Sequence, residues 1–227
     1  MLPTMVREPS AHPSITAPTA GDRPGQSRRG HSARTEANAR LTSTAGVVLV
    51  VLLAVQGITI LRIHRLLTAH VVVGLVLLGP LTVKLGSTGW RFLRYYTGDG
   101  EYGRAGAPRP LLRLLAPLVV LTTIVVFATG IALLAVKPRD ASTLVFLHKA
   151  SFILWFGVMT IHVVAYALPA ARRTVDDLVG RGPPAVLRTR RSRQVLLAAG
   201  ILAGVALGGA GVGWAHPWTT WFGSRNQ

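Results

Sequence analysis

The sequence predicts an all-α, polytopic membrane protein, a four-helix bundle with a fifth transmembrane helix, and three observations predict it. Half of the 227 residues are hydrophobic while only 15% are charged. The uncharged residues fall into five long runs rather than the broken amphipathic pattern of a water-soluble domain. The basic residues gather in alternate connections between those runs, as the positive-inside rule requires of a chain that crosses a bilayer repeatedly.

The N-terminal stretch 1–40 carries Pro3, Pro9, Pro13, Pro18 and Pro24 among arginines and small polar residues. It has no apolar core to offset the entropy of ordering, so it reads as a disordered cytoplasmic tail rather than a cleaved signal. Apolar runs follow at 44–61, 66–88, 111–136 and 144–168, each near the ~20 residues that cross a hydrocarbon core. Together they make a four-helix membrane domain over 41–170.

The first two spans are joined by Arg62, His64 and Arg65 with neither Gly nor Pro to mark the turn, whereas 89–110 is rich in both and reads as a loop. Within the second span, Gly79-Pro80 predicts a kink and a close approach to a neighbouring helix or planar ligand. Residues 171–194 form a basic cytoplasmic linker containing the Arg188–Arg193 cluster. The last region, 195–227, holds the fifth span at 195–214 and a short external tail. Gly200, Gly204 and Gly208 give that span a stripe along which another helix backbone can approach closely.

The net charge of +17 is a matter of topology rather than of nucleic-acid binding. Eighteen arginines fall in the tail, the second connection and the fourth connection, against five basic residues on the other side. That bias predicts a cytoplasmic N-terminus and an external C-terminus in a plasma-membrane protein bathed in lipid. The absence of cysteine excludes disulfides, thiolate-held iron–sulfur clusters and thioether-linked haem within this chain. None of the eight acidic residues falls in a span, which argues against a carboxylate-based ion relay.

Ionisable side chains inside a span point first to function. His148 and His162 stand fourteen residues apart, so on one helix they leave nearly the same face, about 40° and about 21 Å apart. The second span repeats the interval with His70 and Lys84. The second and fourth spans cross in the same direction, which pairs His70 with His148 near the outer leaflet and Lys84 with His162 near the inner one. Two imidazoles from facing helices can ligate a b-type haem, with Arg62, Arg65 and Lys149 at the same depth to meet its propionates. The alternative is that the histidines bond carbonyls or water at the interface. Lys84 has three readings: an amine snorkelling to headgroups, an iron ligand, or, with His162, a contact for a quinone carbonyl.

Through His148–His162 and the helix opening at His70, the region 44–168 resembles the membrane-embedded b-type cytochromes, which include ferric-reductase-like domains and respiratory cytochrome subunits. In di-haem members both helices carry the histidine repeat, which implies two haems. Here Lys84 stands in place of one histidine. The run from His70 to Lys84 looks like cytochrome b domains fused to or beside molybdopterin oxidoreductases, which implies a soluble molybdenum partner on the outer side.

The expected function is electron transfer between quinone or a redox partner and an acceptor at the outer face. No Gly-rich nucleotide fingerprint follows a strand, so electrons must come from quinol or another subunit. Direct reduction of a small acceptor such as ferric iron leaves enzyme status open. The rival expectation is a haem-free membrane anchor or small transporter whose histidines line a polar cavity.

Overall fold

The computed structural model describes residues 24–97 and 110–224, and among them it is all-helical. The long helices are α1 (Pro24–Leu61), α2 (Ile63–Tyr96), α3 (Pro110–Ala135) and α4 (Ser142–Leu178), followed by the single turn α5 (Pro184–Leu187) and the last long helix, α6 (Arg190–Ser224). A short 3₁₀ turn, Pro138–Asp140, links α3 to α4. Five of these helices are long and apolar enough to cross a membrane, as a multi-pass membrane protein requires. Their outward faces agree with lipid contact, since Val51, Ile58, Ile153, Leu154, Ile161, Val164 and Leu202 are all exposed.

Several boundaries differ from the sequence-based expectation. The helix α1 starts at Pro24, so residues 24–40 of the expected tail are helical; 1–23 lie outside the described residues. Proline suits the first helical position, where its missing N–H costs nothing. Ala33, Ala37 and Ala39 favour continuation, and Arg40 pairs with Glu36 one turn earlier at 3.0 Å. The expected loop at 89–110 begins late, because α2 runs on to Tyr96, its amphipathic end carrying Arg94 over the Trp90 ring; 98–109 are outside the described residues. Likewise α4 continues through Pro169 to Leu178, which shortens the basic linker from 171–194 to the eleven residues between Leu178 and Arg190.

The turn between α1 and α2 needs no glycine. Arg62 adopts φ −132°, ψ 41°, and its carbonyl accepts the N–H groups of Arg65 and Leu66 at 3.0 and 2.9 Å. The break in helical dihedrals falls at Leu66 (φ −111°, ψ 21°) and not at Gly79-Pro80. The missing N–H of Pro80 is absorbed within a fully buried turn.

Register follows from the contacts. Thr42 faces Ser87 while Gln56 faces His70, so α1 and α2 are antiparallel. Thr123 faces Trp155 and Thr129 faces His148, so α3 and α4 are antiparallel too. The helix α1 packs on both α2 and α4, whereas α2 and α4 are not among the closely packed pairs. The closest packing is between α2 and α6. There the glycine stripe meets the Gly79 turn: a Cβ at Gly79 would strike the carbonyl oxygen of Gly200, and one at Gly204 would strike that of Val76. The fifth span is thus seated on the second along the predicted stripe.

This contact yields a first prediction. Gly79→Ala and Gly204→Ala should each destabilise the folded protein by about 1–3 kcal/mol, the usual cost of overpacking, because backbone must move. Gly209→Ala, where a Cβ meets nothing within 4 Å, should leave unfolding in detergent unchanged. Equal stability of all three variants would contradict the α2–α6 contact.

Candidate functional site

The four ionisable side chains of the two fourteen-residue intervals fall into two pairs, here called the first and second levels. On α2 and α4, which run in parallel, His70 lies within electrostatic reach of His148, and Lys84 within reach of His162. All four side chains are partly buried. Because α2 and α4 do not pack face to face, the levels sit between helices held apart by their neighbours.

At the first level, each ring is gripped by a threonine from the helix antiparallel to its own. Thr59 of α1 places its Oγ1 2.9 Å from His70 Nδ1, and the same hydroxyl donates to the Gln56 carbonyl at 2.6 Å. Thr129 of α3 places its Oγ1 3.0 Å from His148 Nδ1 and donates to the Val125 carbonyl at 2.8 Å. A hydroxyl has one hydrogen. With each hydroxyl also in reach of a carbonyl of its own helix, an Nδ1–H on either histidine would find an acceptor in the threonine oxygen. In that tautomer Nε2 of each ring would carry the lone pair, and at His70 the Gln56 amide nitrogen lies 3.3 Å from it.

The surroundings are shaped to those rings. A Cβ at Gly130 would lie 3.0 Å from His148 Cε1, so only glycine there lets the imidazole lie against α3 without displacement. Gln56 reaches over His70, its Nε2 3.1 Å from the His70 carbonyl oxygen, 3.1 Å from Nδ1 and 3.3 Å from Nε2. The Gln56 Oε1 is buried with no hydrogen-bond partner, which leaves an unmet acceptor beside the ring.

The second level is built differently. Lys84 does not extend to the helix end; its Nζ turns onto α1 and donates to the Thr42 carbonyl at 3.3 Å, over Gly46. Nearby, the Thr42 and Ser87 hydroxyl oxygens lie 2.8 Å apart and Asn38 donates to the Ser87 carbonyl at 3.0 Å, closing a polar seam between α1 and α2. His162 stacks on Tyr166 at 5.0 Å, and no hydroxyl grips its ring among the described residues. Met159 is only partly buried one turn before it.

Arg62, Arg65 and Lys149 stand at the His70–His148 end, all exposed. Among the described residues no group of three or more His, Cys, Asp or Glu gathers as a protein-only metal centre would need. A ligand bound by two imidazoles needs only the pair.

Gln56, Thr59, Thr129 and Gly130 did not stand out in the sequence. Their signal was the polar or small residue inside an apolar run at a position that the hairpin register sets opposite a histidine. A second unpredicted cluster joins Arg40, Asp177 and Arg193, all buried, where α1, α4 and α6 meet. Comparison with protein-family models, curated proteins and solved structures finds no match to this chain.

Proposed function

We propose that this chain is a membrane b-type cytochrome in which His70 and His148 hold one haem between α2 and α4. The observation that carries the reading is the pair of imidazoles from two helices at one level, each with its Nδ1 beside a threonine oxygen, at 2.9 and 3.0 Å. Metal-bound histidines characteristically donate their other N–H to an oxygen in this way. The residues fit the group, provided that the Gln56 amide, 3.3 Å from His70 Nε2 and hung on rotatable bonds, turns aside.

When bound, haem supplies reversible one-electron exchange. His70 and His148 would bind it, Thr59, Thr129 and Gly130 would orient the rings, and Arg62, Arg65 and Lys149 would neutralise propionates at the polar end. The apolar faces keep water from the pair. Lys84 uses one of its three N–H groups on Thr42, so Lys84 with His162 would serve a quinone carbonyl at the other level. Electrons would pass between that quinone, or a redox partner such as a molybdopterin oxidoreductase, and an acceptor on the outer face.

The arginine distribution supports a plasma-membrane orientation with the N-terminus cytoplasmic. A reporter fused before Met1 should read as cytoplasmic and one after Gln227 as external; the reverse readings would overturn that orientation.

The decisive experiment is the colour of the full chain purified from haem-replete cells. The reading expects a Soret band and a low-spin, bis-imidazole spectrum on reduction with dithionite. A colourless, folded protein would favour a haem-free anchor, in which the bonds from His70 and His148 to threonine serve only to tie helices together.

Lys84 distinguishes one haem from two. With its amine on the Thr42 carbonyl, Lys84→Met should leave one haem per chain and an unchanged low-spin spectrum. Loss of a haem equivalent in that variant, measured as pyridine haemochrome per protein, would make Lys84 a ligand instead.

A further inference from the structure

The two threonines do more than fill space, and the contrast with His162 isolates what they do. All three histidines lie in apolar spans, yet among the described residues hydroxyls grip only His70 and His148. Both grips use one chemical device on different helices: a threonine whose hydroxyl also reaches a carbonyl of its own helix and whose oxygen can accept from the ring. At His148 the device is reinforced, since Ser151 Oγ lies 3.4 Å from Thr129 Oγ1 while donating to the His148 carbonyl at 3.0 Å.

We infer that Thr59 and Thr129 are positioning residues that select the Nδ1–H form of His70 and His148, aim both Nε2 atoms at one ligand, and set its redox potential. The inference rests on the haem reading of this site. An imidazole whose N–H donates to an oxygen is a stronger donor through its other nitrogen. A stronger donor stabilises the ferric over the ferrous state, so these bonds hold the potential down. Hydroxyl hydrogens turned to the Gln56 and Val125 carbonyls leave each threonine oxygen to accept from Nδ1–H, and the opposite tautomer would require them to turn away.

Redox titration of the purified full chain, with Thr59→Val, Thr129→Val and the corresponding serine variants, tests the inference. Each valine variant should raise the midpoint potential relative to wild type, and each serine variant should restore it, because serine keeps the accepting oxygen while valine keeps the shape. In haem-free wild-type protein, nitrogen NMR of labelled histidine should find His70 and His148 as the Nδ1–H tautomer. Valine variants that bind haem at the wild-type potential overturn the inference and leave the haem reading intact. Should the valine variants fail to fold, an Nε2–H tautomer in the wild type overturns it and an Nδ1–H tautomer supports it. A colourless wild type overturns both together.

Discussion

Replacing His70 or His148 with alanine is expected to remove nearly all haem from the purified protein while the chain still inserts and folds. Each variant deletes one of the two imidazoles that would hold the haem, and His162 belongs to the other level, fourteen residues or about 21 Å further along α4. His162→Ala should therefore keep its Soret band. The fold itself loses less. Without the His70 ring, Gln56 and Thr59 are left facing an apolar gap, which costs about 1–3 kcal/mol for unmet polar groups. His70→Gln restores a polar partner without a low-spin ligand, so it should be as colourless as His70→Ala yet more stable. Haem content per chain, read beside a thermal unfolding curve, separates the two effects. Full wild-type haem in both His70→Ala and His148→Ala would make the ligand assignment wrong.

What the sequence made legible is what short-range periodicity encodes. The fourteen-residue intervals from His70 to Lys84 and from His148 to His162 set both levels once the crossing direction of the spans was known. The stripe of Gly200, Gly204 and Gly208 announced a close helix contact, and the structure seats it on Gly79 and Val76. The hidden features are those that depend on which residue arrives opposite which. Nothing near Thr129 in the chain says that His148 will meet it, because the two stand nineteen positions apart with a turn between them. The early start of α1 escaped for a related reason: five prolines among arginines and small residues make 1–40 read as a tail, while Asn38 and Arg40 dock on the distant Ser87 and Arg181 carbonyls. Gly79-Pro80 suggested a kink, yet burial against α6 supports that turn, and the chain breaks its helical geometry at Leu66 beside the hairpin instead.

Asp177→Asn is expected to be the most damaging single change away from the histidines. Asp177, Arg40 and Arg193 are 5%, 5% and 7% exposed. The carboxylate takes a close contact from Arg193 and lies 3.7 Å from Arg40. The same guanidiniums reach backbone at the ends of the linker: Arg40 donates to the Arg181 carbonyl at 2.7 Å and Arg193 to that of Val186 at 3.0 Å. Gly182, at φ +140°, lets the chain pass the Arg40 guanidinium where a side chain would collide. One carboxylate thus joins the start of α1, the end of α4 and the start of α6. Its loss leaves two buried cations with only the partly exposed Glu36 beside Arg40, and breaking a buried pair in this way costs about 3–5 kcal/mol. Removing all three charges at once, as Arg40→Met, Asp177→Leu and Arg193→Met, should be less harmful than Asp177→Asn alone, because no uncompensated charge remains. Denaturant unfolding in detergent measures both. An Asp177→Asn variant within about 1 kcal/mol of wild type would show that the cluster is solvated like an ordinary surface pair, and that the three helix ends are held by packing instead.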